Sequence, residues 1–311
     1  MLTKTIIYFR MGIGNLVLFT PAIQAIASLD ESGKVDICLD SNWNDYRNPA
    51  IIDYLSNMQI VESIIKYPEE RFTKNYKTWF YTLHAEHSEA FDIFKENGKR
   101  GTELEPDWLC FTHEIFYYMN VCRKYGYKGK IFNQYVPITE LKDNCLPDNR
   151  IKIGIANGTF AGSMKLNKQW LYFKELVDVL KILYPNCFII KLGFNNELSE
   201  VTNFDKDYVN KLSITETVGI INKLDLFIVN DTALMHVADA LNVNTIAIFG
   251  GTLVSKNGPL SKKISIVKSG IICQPCQKTM MFDSCENPIC LKELTVGDVI
   301  SVVKKKLCTQ N

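Results

Sequence analysis

The chain has no apolar run approaching ~18 residues, the length a helix needs to cross a bilayer, so no segment is expected to span a membrane. Charge of one sign is not in surplus, with 35 basic against 34 acidic residues, which removes the global electrostatic case for nucleic acid. The N-terminal residues run straight into "KTIIYF", too short for a signal-peptide core and without a cleavage site. A cytoplasmic, reducing setting is therefore expected, in which disulfides are rare. Histidine is scarce, at four residues. A third glycine is missing from the first loop: after Gly12 and Gly14, Val17 stands where a dinucleotide fingerprint needs glycine. That gap counts against a Rossmann oxidoreductase, for which Asp40 would serve as the ribose-holding acid.

What is present is an apolar content of 47% over 311 residues, ample for two packed cores. Short apolar runs alternate with helical patterns along the whole chain. Thr5 to Phe9, Val35 to Leu39, and the segments "MQIVESIIKY" and "KTWFYTL" read as strands. "NLVLFTPAIQAIASL" reads as a helix in which Pro21 is expected to kink or restart the chain. His113 to Tyr127 reads as a helix with an aromatic stripe for core packing. Between Pro137 and Arg150 the composition turns polar and proline-bearing, as a linker does. Strands at Ile151 to Ala156, "CFIIKLG" and "LFIV" then alternate with helices near Leu171 to Leu183 and Thr215 to Lys223. This alternation predicts an α/β protein with parallel sheets, in two Rossmann-like domains covering 1–147 and 148–311. The basic run Lys304 to Lys306 reads as a solvated last helical turn, favoured by the helix dipole.

The stretch "IVNDTALMHVADALNVNTIAIFGGT", Ile228 to Thr252, places an acid, a threonine and a histidine at a strand-to-helix seam. Asp231 is expected to cap the helix, whose N–H groups and dipole favour a phosphate. Thr232 and His236 are four apart and share a helix face, and His236 can donate to a phosphate oxygen. Read locally, the same residues also fit an N-cap and a satisfied core histidine.

Cys273, Cys276, Cys285 and Cys290 form C-x2-C-x8-C-x4-C. Four thiolates at such spacing read as a tetrahedral structural metal site, with zinc as the default and rubredoxin-like iron as the rival. A Cys-x-Pro-Cys redox pair is a weaker reading.

The Asp231 to Thr252 stretch resembles the nucleotide-sugar motif of glycosyltransferase family 9, the heptosyltransferases. It departs at Ala233, where the family has glycine, and at Gly251, where it has proline. "NKQWLYFKELVDVL" resembles the family segment in which a Lys and then a Trp open a helix, which carries a phosphate- or sugar-binding role onto Lys168. "KLGFNNELSEV" resembles the strand, Gly and later Glu that hold the ribose, which puts that role on Glu197. "RMGIGNLVLFTPAIQAI" resembles the first loop and helix, where Gly12 and Gly14 would let acceptor or donor approach the backbone.

The resemblance implies a GT-B architecture, two Rossmann-like domains facing across a cleft. It implies an acceptor-binding N-terminal domain and a C-terminal domain in which Lys168, Glu197, Asp231, Thr232, Ala233, Leu234 and His236 hold a nucleotide diphosphate sugar, ADP-heptose first. The implied reaction is inverting transfer to a glycan, glycolipid or protein acceptor, with no metal in the chemistry. Work on lipopolysaccharide would bring the protein to the periphery of the inner membrane. Many members carry Gly-Asp at the start of the first helix, the Asp taking the acceptor proton. Here the pair is Gly14-Asn15, and an amide orients a hydroxyl but has no useful basicity. The base is then expected in "HAEH", on Glu86 first and His84 next, with His87 beside them and Asp40 as a third choice. The alternative is a degenerate GT-B protein that binds nucleotide or a partner without transfer.

Overall fold

The computed structural model describes residues 4–10, 12–40, 48–67, 70, 76–81, 101–103, 112–141, 146–158, 168–194, 197–277, 279 and 281–308. The chain divides into two compact units, 1–137 and 138–311. The division falls ahead of the boundary expected after residue 147. The reason is local: Thr139 N donates to Thr215 O at 3.1 Å, which ties the segment after Pro137 to the second unit.

The first unit is a parallel five-stranded sheet of order β3-β2-β1-β4-β5. Its strands are β1 (Thr5–Phe9), β2 (Val35–Asp40), β3 (Val61–Tyr67), β4 (Thr78–Tyr81) and β5 (Gly101–Glu103). β1 is central and wholly buried, as an uninterrupted apolar run flanked by strands on both sides requires. The helices are α1 (Ile13–Leu29), α2 (Pro49–Ser56) and α3 (Glu114–Lys124). α1 neither breaks nor restarts at Pro21. Proline has no N–H to give Val17 O, and the neighbouring Thr20 Oγ1 donates to that carbonyl instead, at 2.8 Å. Thr20 Oγ1 also accepts from Tyr135 N at 2.9 Å, and Gln24 Nε2 donates to Asn133 O at 2.9 Å. The end of the first unit is thereby laid along α1.

The second unit is a parallel six-stranded sheet of order β11-β10-β9-β6-β7-β8. Its strands are β6 (Ile151–Ala156), β7 (Cys187–Lys191), β8 (Lys206–Asp207), β9 (Leu226–Asn230), β10 (Thr245–Ile248) and β11 (Ile264–Val267). Its longer helices are α4 (Phe173–Leu183), α5 (Ile214–Ile221), α6 (Ala233–Ala240) and α10 (Val296–Cys308). Between them lie the short turns α7 (Val254–Asn257), α8 (Met281–Ser284) and α9 (Ile289–Lys292). α5 begins on a capping box, Ser213 with Glu216. The core gathers Ile153 and Ile155 of β6, Ile189 of β7, Ile228 of β9, Ile246 of β10 and the inner faces of α4 and α10.

Strand order reverses beside β6, because β7 follows on one side and β9 is inserted on the other. In open parallel sheets such a switch point opens a crevice at the carboxyl ends of the strands. The basic run 304–306 ends α10, but Lys306 is not simply solvated: its Nζ donates to Asn244 Oδ1 at 2.8 Å and Lys263 O at 2.6 Å.

Candidate functional site

The carboxyl ends of β9, β6 and β7 carry most of the polar groups singled out in the second unit. β9 ends at Asn230, and Asp231 follows, 2% exposed. Asp231 does not cap α6. Thr232 is the N-cap, without a side-chain cap bond, and α6 has no acid in its first turn. Asp231 sits one residue earlier, where its carboxylate faces Lys168, with Nζ 3.0 Å from Oδ2. Burial works to raise the Asp231 pKa, but the charge of Lys168 and then that of His236 outweigh it and hold the carboxyl below its ordinary range. Lys168 is still 21% exposed along its side chain. An uncapped helix start with an ammonium held beside it is a place to bind a phosphate. Trp170 sets the position of Lys168: it is fully buried, and its Nε1 donates to Leu294 O at 2.8 Å.

Ala233 opens α6 half-buried, Leu234 is buried, and His236 lies one turn on, 4% exposed. Asn230 Nδ2 donates to Asn157 O at 3.1 Å, joining the ends of β9 and β6. The side-chain oxygens of Asn157 and Asn230 are buried with no hydrogen-bond partner among the described residues. Further along the same edge, Glu197 lays its carboxylate over the backbone of Gly158, after β6, and Gly193, after β7. A Cβ at either glycine would collide with it. Gly193 also has φ +141°, a conformation that favours glycine. Gly193 is the glycine of the strand-Gly-Glu segment read from the sequence, whereas Asn157, Gly158 and the side chain of Asn230 were not singled out there. The two glycines directly after apolar strands were the signal that was there to read.

The cysteine loop packs against the same edge. Cys276 N and Gln277 N both donate to Gly251 O at 2.9 Å, and Gln274 Nε2 donates to Phe249 O and Gly250 O at 2.9 and 2.8 Å. Thr252, next in that loop, places its hydroxyl beside the Asp231 carboxylate without the geometry of a hydrogen bond. The departure at Gly251 has a steric cause: a Cβ there would stand 2.8 Å from Cys276 Sγ and 3.2 Å from the Phe282 ring. The four thiols share one electrostatic neighbourhood. Burial pushes Cys290 up to about 11, with Cys276, Cys273 and Cys285 adding to it, and burial followed by Cys285 and Cys273 raises Cys276. Even so, among the described residues no three His, Cys, Asp or Glu side chains stand together as a group able to hold a metal ion. The donor chemistry of four thiols suits zinc or iron, while their spacing here is not that of a preformed cage.

In the first unit Gly12 is the N-cap of α1, with φ −73° and open space where a Cβ would sit, so the backbone does not require glycine there. Gly14 lies in the first turn of α1. Asn15 Nδ2 donates to Glu114 Oε2 at 3.4 Å, a partner that the sequence alone did not suggest. Asp40 ends β2. Glu86, His84 and His87 lie outside the described residues.

Residues 193–285 match the family model described as Glycosyltransferase family 9 (heptosyltransferase). Lipooligosaccharide heptosyltransferase 2 of Campylobacter jejuni serotype O:6 is 33% identical over 102 residues, which cover 32% of this chain and 31% of that protein. The aligned stretch thus spans about a third of that relative. Among solved structures, the Escherichia coli ADP-heptose lps heptosyltransferase II superposes with a TM-score of 0.71 at 15% identity, covering 99% of each chain. TibC of enterotoxigenic E. coli H10407, an iron-containing dodecameric glycosyltransferase, superposes with a TM-score of 0.67 at 14% identity, covering 100% of this chain and 77% of TibC. The fold of the chain is the GT-B fold of these enzymes.

Proposed function

We propose that this chain is an inverting glycosyltransferase that moves a heptose from ADP-heptose to a saccharide acceptor, in lipopolysaccharide or lipooligosaccharide synthesis. The observation that carries the reading is the uncapped start of α6 with Lys168 held beside it by buried Asp231. It stands within a chain whose residues 193–285 match the heptosyltransferase family. The leaving group of the reaction is a nucleoside diphosphate. Its charge grows as the bond to the sugar breaks, so fixed N–H donors and an ammonium stabilise the transition state more than the ground state. Lys168 and the first N–H groups of α6 do this, and His236 donates from the next turn. Glu197, seated over two glycines, accepts from the ribose hydroxyls. Acceptor binding falls to the first unit.

The name of lipooligosaccharide heptosyltransferase 2 points to a heptose, and that of ADP-heptose lps heptosyltransferase II to ADP-heptose as its donor. No helix among the described residues is long and apolar enough to cross a membrane. We place the protein in the cytoplasm, at the inner face of the membrane when its acceptor is a glycolipid. Cys273, Cys276, Cys285 and Cys290 would hold one zinc or iron ion. The ion would brace the Gly250–Thr252 loop and take no part in the transfer.

Thermal unfolding with ADP, UDP and GDP tests the donor. A ligand at ~100 times its dissociation constant adds ~2.7 kcal/mol. ADP should raise the melting temperature and the other two should not. Equal shifts with all three, or none with any, would remove the ADP-heptose reading. Elemental analysis of the purified protein tests the loop, and a metal-free protein of full stability would end that part of the proposal.

A further inference from the structure

We propose that Glu114 is the general base of the transfer and that Asn15 is the positioning residue holding its carboxylate. This rests on the transferase reading above. A hydroxyl that attacks a sugar must lose its proton to a group within hydrogen-bond reach, and α1 offers no acid in its first turn. α3 supplies one from beside it. Asn15 meets Glu114, Phe19 meets Tyr118 edge to face at 5.1 Å, and Cys122 Sγ approaches Ala22 O at 3.9 Å. These contacts step along both helices in the same direction, so α1 and α3 run parallel and their N-termini lie together. α1 starts just past the carboxyl end of β1, where an open parallel sheet receives its ligands. Two helix starts side by side stabilise a negative charge between them.

Glu114 is only 5% exposed, and a buried carboxylate is costly unless neighbours fix it. Asn15 Nδ2 is one such neighbour, at 3.4 Å. The adjacent His113 is engaged elsewhere, as the N-cap of α3, where its Nδ1 accepts from Ile115 N at 3.3 Å. In the step, the acceptor O–H bond breaks and the proton passes to Glu114. The oxygen pair forms the bond to the anomeric carbon. The bond from that carbon to the diphosphate oxygen breaks, and its electron pair leaves with ADP. Glu114 later returns the proton to water.

The test is ADP release from ADP-heptose with lipooligosaccharide from a heptose-deficient strain as acceptor, measured against pH alongside ADP binding. Glu114→Gln should lower kcat ~10²–10⁴-fold, lose the acid limb of the rate profile, and bind ADP as the parent does. Glu114→Asp should fall between the two and keep the acid limb. Asn15→Ala removes a donor to the ionised carboxylate, so its acid limb should move to higher pH. Glu114→Gln within threefold of the parental kcat, or with the acid limb intact, overturns the assignment while the transferase reading stands. A parent that neither binds ADP nor releases it overturns that reading instead. Should Glu114→Gln fail to fold, an Asn15→Ala limb that does not move overturns the assignment.

Discussion

The carboxyl edges of the two sheets differ in how their polar groups are held. In the second unit the edge is fixed over its length: Asp231 to Lys168, Asn230 to Asn157, Glu197 over Gly158 and Gly193, and the cysteine loop on Gly251. In the first unit the bonds described along that edge include Asn15 to Glu114 at 3.4 Å and Lys66 N to Glu70 Oε2 at 3.2 Å, beside a glycine N-cap with open space around it. A nucleoside diphosphate presents the same charge and shape to every enzyme that uses it, so its site can be built rigidly. Saccharide acceptors vary, and a site for them needs adjustable polar groups more than fixed charges.

The largest effect that would break this contrast is expected at Lys168. Lys168→Met removes the ammonium beside the start of α6, and transfer should fall ~10²–10³-fold, as loss of one preorganised donor does elsewhere. ADP affinity, read by titration calorimetry, should fall with it. The variant also leaves Asp231 buried without its cation, which changes the acid behaviour. The folded pKa of Asp231 is depressed below its ordinary 3.8. Its contribution to stability is therefore present above the unfolded value and lost as pH falls through the folded one. Without Lys168 the depression shrinks, so acid unfolding should begin at a higher pH than in the parent. An unchanged ADP affinity in Lys168→Met would mean that the rigid edge is not the nucleotide edge.

Metal removal comes next. The cysteine loop is bonded to Gly250 and Gly251, whose loop continues to Thr252 beside Asp231. Extraction with a chelator, or Cys276→Ser with Cys290→Ser, should destabilise the protein by about 3 kcal/mol, as loss of a structural metal does. ADP affinity should weaken as well, because the loop beside Asp231 loses its brace. Unaltered melting on complete removal would detach the loop from the site.

These first two tests touch features of unequal legibility. Strands such as Thr5–Phe9 and Ile151–Ala156 could be read from sequence because fully buried parallel strands are short uninterrupted apolar runs. The seam at Asp231 was visible for the same reason, as a sharp stop to such a run. Its wiring was not. The expectation that Asp231 caps α6 failed because capping and ion pairing need the same residue type, and only the position of Lys168, far away in sequence, decides between them. Pro21 read as a kink or restart because the compensating Thr20 hydroxyl acts within one turn and leaves no periodic trace. Glu114 was overlooked because a first-turn acid is ordinary in a helix. It is the packing of α3 on α1 that gives it a partner.

A smaller effect is expected at Gly193. Its φ of +141° and the Glu197 carboxylate over it leave no room for a side chain. Gly193→Ala should cost about 1–3 kcal/mol through backbone strain and displace Glu197, so ADP should bind roughly tenfold more weakly, ~1.4 kcal/mol. A destabilised variant with parental affinity for ADP would separate Glu197 from the nucleotide.

The smallest effect should come from the opposite edge of the second sheet, where Lys306 bridges Asn244, just before β10, and Lys263, just before β11. Burial lowers the Lys306 pKa. The folded protein thus binds its proton less tightly than the unfolded chain does, and the charged form works against folding at neutral pH. As pH rises through the lowered folded value, that penalty is relieved, so this residue's contribution to stability increases into the basic range. Lys306→Met keeps the apolar stem, removes two hydrogen bonds and removes the buried charge. The two changes oppose each other, and the net shift in unfolding free energy should stay within about 1 kcal/mol. ADP affinity should not move at all, since the substitution lies at the amino ends of β10 and β11 and the proposed diphosphate site at the carboxyl end of β9. Denaturant unfolding and an ADP titration on the same variant decide it: weaker ADP binding would show that the two edges of the second sheet are coupled.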